Sequence, residues 1–344
     1  MAVIHSLALV LPHLFHVAAV NSLSRLSSVA ARDTPASQRI MNFSEPGLCY
    51  AAPMSRTFRR HWDQIQENVD HGKRLALDKK VIFAGLVRNA EKFVVNNYDM
   101  LRRLGLHFKD YQFHIFESDS TDDTPYAVSI PSPWDARYSF QTRVLNMSDE
   151  RGLERPRMER MATLRNMVRD WIEDFVSTRH GWDLVVQYDF DNAFAPRAIP
   201  PHAFFNALGR QETRNGDWDM LCANGLRHQC GSTECQAGHY DCSAFRDTQF
   251  DSLNSACHNG LAENMFAQYD LVPVHSCFGG LAMYNTQKFL DCHYNTSAHD
   301  SEHVGFHSCM RQRGSDGRMF MDPLLTVIAD PITPLVCTAD VAAF

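Results

Sequence analysis

The sequence has no excess of basic residues. It contains 33 Lys and Arg residues against 40 Asp and Glu residues, which gives a formal net charge of −7. Proteins that bind nucleic acid usually carry a basic patch or stripe, so this balance argues against nucleic acid as the main partner. An anionic ligand would need a local site. With 344 residues, 44% of them hydrophobic and 21% charged, the composition is that of a folded protein with one large or two ordinary domains.

None of the cysteines forms a C-x-x-C pair, the tight spacing that many zinc sites use. The ten cysteines are Cys49, Cys222, Cys230, Cys235, Cys242, Cys257, Cys277, Cys292, Cys309 and Cys337. Their irregular spacing argues against a zinc site, whereas their even number suits disulfides formed in an oxidising compartment. Three N-x-S/T sequons, at Asn42, Asn146 and Asn295, fit the same compartment.

No formally charged residue occurs between Val3 and Val20. This apolar stretch is interrupted by Pro12 and by histidines, and its length is at the lower limit for crossing a bilayer. Residues 1–20 are therefore predicted to be either a signal peptide or a signal anchor. Either one directs the remaining chain into the ER/Golgi lumen or out of the cell, with membrane contact only through the anchor. Residues 21–78 are rich in Ser, Ala, Pro and Arg and are predicted to form a stem or linker that ends in a docking helix.

Residues 79–335 alternate short apolar runs with amphipathic helical patterns. This alternation predicts one α/β domain with a mixed, mainly parallel sheet flanked by helices. Within it, the cysteine-rich residues 226–257 are predicted to be a loop-like insertion pinned by disulfides. Asp241 is among the polar residues with which this insertion could shape an acceptor site. Residues 336–344 are predicted to be a tail.

Two predicted strands of this domain end in polar residues. The run Val81–Val87 is typical of a buried strand and is followed by Arg88 and Asn89, of which Asn89 is predicted to be the N-cap of a helix over Glu91–Leu104. The next strand ends in the acidic loop Glu117–Thr124. A polar loop just past a strand end can hydrogen-bond a ribose or a base, although turns use the same residue types.

A third predicted strand, around Leu184–Val186, is followed by Asp189 and Asp191. Ligands of open α/β sheets bind at the carboxyl ends of the strands. Two carboxylates one residue apart at such an end can hold a hard divalent cation that also takes phosphate oxygens. A solvated turn after the strand is the alternative interpretation.

Three further patterns flank this strand in the sequence. The helix before it carries Arg157 and Arg165 on one side, where guanidinium forks suit diphosphate oxygens, although a solvated charged face is equally consistent with them. Gly279 and Gly280 interrupt a later strand pattern, which marks a bulge or a close approach of a ligand to the backbone. Near residue 302 a helix opens with an acidic residue followed by histidines, a residue type that in helices is usually structural or exposed.

Taken in order, these patterns resemble the GT-A nucleotide-sugar glycosyltransferases, and the nearest group is the fungal capsule-associated mannosyltransferase-like family. The resemblance covers about residues 80–330, and the order of its motifs is more specific than any one of them. The motifs are R-N (Arg88, Asn89), E-S-D-S-T-D (Glu117 to Asp122), M-x-x-L-R-N (Met161 to Asn166), D-F-D (Asp189 to Asp191), F-G-G-L-A-M-Y (Phe278 to Tyr284) and S-E-H (Ser301 to His303).

The resemblance implies a metal-dependent enzyme with a Rossmann-like GT-A fold that moves a hexose from a nucleotide-diphosphate sugar to a glycan or glycoprotein acceptor. It implies Mn²⁺ or Mg²⁺ on Asp189 and Asp191, with His307 or His303 as a third ligand, stabilising the departing nucleoside diphosphate. Glu302 would be the general base in an inverting enzyme or contact sugar hydroxyls in a retaining one. The implied donor-binding residues are Arg88, Asn89, Glu117, Asp119, Arg165, Asp189, Gly279 and Gly280.

Two other functions remain open from the sequence. One is a secreted carbohydrate-binding or cell-surface domain that keeps the fold without catalysis. The other is a nucleotidyltransferase of similar fold, which the secretory signals disfavour because such enzymes need cytosolic nucleotide triphosphates. A metal-dependent affinity for nucleotide sugars would distinguish the glycosyltransferase from a binding domain, which has no need of it.

Overall fold

A computed structural model describes most of the predicted α/β domain and the helix before it. The described residues are 60–145, 154–190, 201–212, 218–230, 235–239, 241–248, 268–295 and 301–329. They all belong to one compact unit of the chain. The predicted leader, most of the predicted stem, Asp191 and the predicted tail lie outside them. No helix within the described ranges is long and apolar enough to cross a membrane.

The described residues form a mixed α/β fold, which confirms the predicted class. The helices are α1 Trp62–Asp78, α2 Val94–Gly105, α3 Thr124–Ser129, α4 Glu154–Thr178, α5 Pro201–Gly209, α6 Thr286–Leu290 and α7 Glu302–Met310. The strands are β1 Lys80–Val87, β2 Asp110–Ser118, β3 Tyr138–Arg143, β4 Leu184–Tyr188, β5 Met220–Cys230, β6 Cys235–His239, β7 Arg246–Asp247, β8 Val272–Ser276, β9 Leu281–Asn285 and β10 Met319–Ala329.

The strands lie in the order β3-β2-β1-β4-β9-β5-β10-β8-β7, with β6 beside β5. The first four are parallel to one another, so their carboxyl ends share one edge of the sheet. The chain moves outward from β1 to β2 and β3 on one side and then returns to place β4 on the other. The sheet therefore has a topological switch point between β1 and β4, the position at which open α/β sheets bind ligands. Beyond β4, the antiparallel strand β9 makes the sheet mixed.

Both faces of the central strands are buried, as their continuous apolar runs predict. On one face, Phe83 and Phe113 stack with ring centroids 5.0 Å apart and belong to the same core cluster as Phe204 of α5. On the other face, Val185 clusters with Val168 of α4. Full burial stabilises the fold by about 1.5–3 kcal/mol for each such side chain.

Helix α1 packs closely against α5. Its buried side includes Ile65 and Val69, which are four residues apart and therefore on one face. The two helices cross where Gly72 meets Gly209, since a Cβ built on Gly72 would lie 2.0 Å from the carbonyl oxygen of Phe205. The helix at the end of the predicted stem is thus part of the packed core of the described fold.

The cysteine-rich region differs from the loop-like insertion that the sequence predicted. β5 continues into it as far as Cys230 and pairs with the antiparallel strand β6, so that Leu226 faces His239 in the register. The prediction of disulfides is confirmed for two bridges, Cys222–Cys277 and Cys292–Cys309. No cysteine of the described part of the chain is free.

Candidate active site

Asp189 lies directly after β4, at the switch point of the sheet. Its backbone N–H donates to the carbonyl oxygen of Gly280, 3.1 Å away, which fixes the chain as it leaves the strand. Its side chain is 15% exposed and lines a cavity of about 380 Å³. Asp191, the second aspartate of the motif, lies outside the described residues. The cavity at Asp189 is the place where the sequence predicted a ligand.

Arg165 connects three elements at the floor of this cavity. Its Nε donates to Oε1 of Glu302 at 2.9 Å, and its Nη2 donates to Oδ1 of Asp189 at 3.1 Å. The guanidinium is 3% exposed and lies 4.7 Å from the ring centroid of Phe278. Burying an arginine is costly unless carboxylates or other acceptors pair with it. The arginine of α4 therefore holds together the end of β4 and the start of α7.

Acidic side chains outnumber the buried guanidinium at this position. Burial raises the pKa of Asp189, although Arg165 opposes that rise. Burial, followed by repulsion from Glu302 and Asp189, raises the pKa of Asp241 to about 7. Burial acts to lower the pKa of Arg165. The carboxylates of Asp189 and Glu302 raise it by more than burial lowers it, so this residue stays charged. Carboxylate oxygens are the ligand type that Mn²⁺ and Mg²⁺ take. Over the whole cavity, the four acidic residues are matched in number by Arg88, Arg157, Arg160 and Arg165.

The described residues alone do not complete a metal site. Within them, no group of three or more His, Cys, Asp or Glu side chains is arranged to hold a metal. Asp189 supplies one carboxylate at the expected strand end, and Asp191 would have to supply the next. The chemistry of the donor set fits a hard cation, while the full coordination depends on residues outside the described ranges.

The raised pKa of Asp241 gives a prediction for stability. In the unfolded chain an aspartate has a pKa of about 3.9, so between that value and about 7 the folded protein binds more protons. The contribution of Asp241 to the free energy of unfolding is therefore present at low pH and is lost as pH rises through about 7. We expect Asp241→Asn to become progressively more stabilising, relative to the wild type, as the pH is raised across that range. Melting temperatures recorded in EDTA check this.

Asp174→Asn, a change at an exposed position of α4, is the control for the Asp241 experiment. The difference in melting temperature between this variant and the wild type should vary little across the same pH range. If the melting-temperature difference between Asp241→Asn and the wild type were equally independent of pH, Asp241 would not be the group that titrates near neutral pH.

The loops after β1 and β2 form one wall of the cavity. Nε of Arg88 donates to the carbonyl oxygen of Asp119 at 3.1 Å, and Oδ1 of Asn89 accepts from the backbone N–H of Thr121 at 2.8 Å. Arg88, Asn89 and Asp119 all line the cavity. The structure thus brings three of the predicted donor-binding residues together.

The predicted helix-capping role of Asn89 is wrong. α2 begins at Val94, and the position before it is Phe93, which makes no side-chain capping bond. Asn89 instead has a φ of +50° and turns its side chain toward Thr121 of the neighbouring loop. Asn89 therefore connects two loops instead of capping the helix.

Glu117 supports this wall from below. It is 1% exposed, and its Oε1 accepts from the backbone N–H of Ser120 at 3.0 Å. It does not line the cavity. The structure accounts for Glu117 as a residue that positions the loop, and its predicted direct contact with the donor is not supported.

The two histidines of α7 have different environments, which corrects the predicted use of His307 as a metal ligand. Nδ1 of His307 is 2.9 Å from Oγ of Ser276, and its Nε2 is 3.0 Å from the hydroxyl of Tyr284. Both ring nitrogens are therefore engaged in the core. His303 lines the cavity, stacks on Phe278 at 4.1 Å, and has no hydrogen-bond partner on either ring nitrogen. Burial lowers the pKa of His303, so its imidazole is neutral.

Gly279 and Gly280 lie in the turn between β8 and β9 rather than in a bulge. Both have positive φ, +63° and +84°. A Cβ on Gly279 would lie 2.2 Å from the carbonyl oxygen of Ala223, so the close approach that requires glycine is to the neighbouring strand β5. Neither glycine lines the cavity. The contact with Ala223 accounts for the glycine at position 279, and the predicted contact of the two glycines with the donor sugar stays a prediction.

Several cavity residues were not predicted as site residues. Arg157 was predicted only as the partner of Arg165 on one helix side, and it does line the cavity. Among the other polar residues of the lining, Ser118 and Ser301 were part of quoted motifs but had no predicted role, and Asp241 had been assigned only to the insertion. Arg160 and Ser243 were missed. Asp241 and Ser243 follow a cysteine-rich stretch without any motif, so no local signal marked them.

No family model matches the chain, and no curated protein matches it. The solved structures to which the chain is similar include the following three. They are TarS residues 1–349 from S. aureus (13% identity, TM-score 0.39, 73% of this chain and 60% of that one), the mannosyltransferase PcManGT from Pyrobaculum calidifontis with GDP-Man and Mn²⁺ (13%, 0.42, 83% and 70%), and glucosyl-3-phosphoglycerate synthase from Mycobacterium tuberculosis with UDP (12%, 0.40, 77% and 76%). At these values no substrate or residue role can be transferred to this chain.

Proposed function

We propose that this protein is a metal-dependent glycosyltransferase of the GT-A type. It would transfer a hexose from a nucleotide-diphosphate sugar to a glycan or glycoprotein acceptor in the lumen of the secretory pathway. One observation carries the proposal: Arg165 joins Asp189 and Glu302 inside a cavity at the switch point of the sheet, beside the loops after β1 and β2. The two disulfides support an oxidising compartment. We further propose that it is related to the fungal capsule-associated mannosyltransferase-like proteins.

The wall formed by Arg88, Asn89 and Asp119 is proposed to hold the nucleoside. Its amide, carboxylate and guanidinium groups can hydrogen-bond a base and a ribose. Arg157, on the side of α4 that faces the cavity, is placed to contact the diphosphate. Asp189 and Asp191 would hold Mn²⁺ or Mg²⁺, which when bound supplies positive charge to the departing diphosphate.

Glu302 is proposed to contact the acceptor hydroxyl. It is at the first turn of α7, 4% exposed, with Oε1 held by Arg165 and Oε2 accepting from the hydroxyl of Ser301 at 3.2 Å. This arrangement fixes the position of the carboxylate in the cavity. In an inverting enzyme it would take the proton of that hydroxyl, whereas in a retaining one it would orient a sugar hydroxyl. The anomeric configuration of the product, read by NMR, decides between the two.

Asp189→Asn is expected to lower the transfer rate at least about a hundredfold, because the amide keeps the shape but loses the charge that a cation and Arg165 require. The fold should survive, since Asp189 is at a strand end. The measurement is a screen of UDP- and GDP-hexoses for Mn²⁺-dependent transfer or hydrolysis, with melting temperatures recorded in parallel.

Asp174→Asn is again the matched control, because it removes an aspartate from the exposed side of α4. It should leave the rate unchanged. Full activity of Asp189→Asn would contradict the proposal. So would a wild-type protein whose affinity for nucleotide sugars is the same with and without Mn²⁺, which would point to a binding domain instead.

A further inference from the structure

The edge of the sheet opposite the active-site cavity is rich in basic residues. Four segments lead into the parallel strands β1 to β4 at this edge, and we call them together the amino edge: residues 73–80, 102–110, 130–137 and 179–183. They contain nine Lys and Arg residues against four Asp residues, in a chain whose formal net charge is −7. None of them lines the active-site cavity. Positive charge is therefore concentrated on a face that the proposed reaction does not use.

Direct contacts join the four segments of the amino edge side by side. The contacts are from the backbone N–H of Lys109 to the carbonyl oxygen of Lys79 at 3.0 Å, from Nε of Arg102 to Oδ2 of Asp135 at 3.7 Å, and from Nζ of Lys80 to the carbonyl oxygen of His180 at 3.4 Å. The basic residues of different segments thus belong to one continuous surface.

The stability of the helices accounts for only part of this charge. Cations in the last turn of a helix offset its dipole, which explains Arg102 and Arg103 at the end of α2. Lys109 lies outside any helix, and it is exposed, as is Lys73. Within the described ranges neither of these lysines forms an ion pair. Their charge is available to a partner.

Three large apolar side chains project from the same edge. Trp134 is 81% exposed, Leu77 is 65% exposed and Leu106 is 58% exposed. A single exposed apolar residue is common on protein surfaces, but membrane-surface proteins combine such residues with cations. The cations attract anionic headgroups, and tryptophan prefers the boundary between headgroups and acyl chains. A soluble polyanion would use the cations but would leave the two leucines in water, so the combination favours a lipid surface.

We propose that the amino edge binds the surface of a membrane that contains anionic phospholipids. Trp134, Leu77 and Leu106 would enter the headgroup region, and the cations would lie among the phosphate groups. The five residues of β4 place Asp189 about 17 Å from this edge, at roughly 3.3 Å per residue. The active-site cavity would therefore lie on the side away from the lipid. In the compartment proposed above, this lipid would be that of the lumenal leaflet.

The test is contact of Trp134 with vesicles, measured on the full chain in EDTA and without nucleotide. The vesicles are phosphatidylcholine alone or an about 3:1 mixture with phosphatidylserine, with bromine on the acyl chains to quench any tryptophan that enters the bilayer. The difference in quenching between the wild type and Trp134→Phe reports this edge, even if residues 1–20 also insert. We expect that difference with the anionic vesicles, and we expect it to fall as salt is added, because salt screens the cations.

Lys109→Gln should raise the lipid concentration needed for half-maximal quenching of Trp134 about fivefold, since one cation near an anionic surface is lost. Lys92→Gln is the matched control, because Lys92 is equally classed as exposed but lies after β1, at the edge that carries the active site. It should change the half-maximal concentration little. No step of this test involves catalysis, so a failure of the proposed reaction leaves it intact.

Three results would overturn the proposal. One is quenching of Trp134 that is absent, or that is equal with neutral and anionic vesicles. Another is an equal effect of Lys92→Gln and Lys109→Gln. The third is binding of soluble dextran sulfate that depends on Lys109 while no vesicle quenches Trp134, which would identify the partner as an acidic polymer.

Discussion

Replacing Arg165 with methionine should inactivate the protein and also lower its free energy of unfolding by roughly 3–5 kcal/mol. The guanidinium is 3% exposed and is hydrogen-bonded to both Asp189 and Glu302. Without it, the two buried carboxylates lose the positive charge to which both are hydrogen-bonded. Activity should fall at least about a hundredfold, since the two acidic groups lose their fixed positions.

Two further variants separate the role of Arg165 in the site from its role in stability. Arg165→Lys keeps the charge but cannot bridge two carboxylates as a planar fork does, so it should recover stability more than activity. Arg169→Met removes an equally buried arginine one turn further along α4, where the partners are Glu173 and the carbonyl oxygens of Cys292 and Leu290.

Arg169→Met should therefore be destabilised, while its folded fraction remains active. The measurements are denaturant unfolding and transfer rate per folded molecule. If Arg165→Met and Arg169→Met lost the same small amount of activity, Arg165 would be a structural residue only.

Gly209→Ala is expected to destabilise the fold by about 3 kcal/mol or more. A Cβ at this position would lie 1.9 Å from the carbonyl oxygen of Asn68 and 2.9 Å from the backbone nitrogen of Gly72, both on α1. Because both contacts are to backbone, α1 and α5 would have to move apart. Intrinsic preference acts in the opposite direction, since alanine favours a helix over glycine by up to about 1 kcal/mol. The sign of the measured change therefore shows which effect dominates.

Leu77→Ala is the control for the glycine experiment. Leu77 is on α1 but is 65% exposed, so its truncation should change the free energy of unfolding by no more than about 0.5 kcal/mol. Both variants are compared by urea unfolding. An increase in stability for Gly209→Ala would mean that α1 and α5 can move apart at little cost.

Local patterns were sufficient to predict the parts of the site that depend on one element. The apolar run of β4 is fixed by burial, and Asp189 follows it at the carboxyl end. The four-residue spacing on α4 put Arg157 and Arg165 on one side of the helix, and both line the cavity. These predictions depend only on the periodicities of strands and helices.

The pairing of these groups depends on the whole fold and was not predictable. Arg165 and Glu302 are 137 residues apart in the chain, and the sequence motif around one gives no sign of the other. His303 and His307 lie on one side of α7, so spacing could not show that His307 is bonded inside the core while His303 faces the cavity. In each case the deciding partner comes from a different element.

The turn at Gly279 and Gly280 also combines a local property, which the sequence reveals, with a long-range contact, which it does not. A positive φ at Gly279 and Gly280 is a local property, and the sequence reveals it by using glycine. What approaches Gly279 is the backbone of Ala223, more than fifty residues earlier. The residue type was informative, but the neighbour that requires it could be identified only from the packed sheet.

The bridge between Cys292 and Cys309 has a consequence for how the protein is made. It encloses the segment that carries Ser301, Glu302 and His303, joining the chain after α6 to the last turns of α7. The acidic residue of the site is therefore secured by a covalent bond that only oxidative folding supplies. If the proposed activity needs this bridge, a producing host has to offer a thiol-oxidising compartment in which it can form.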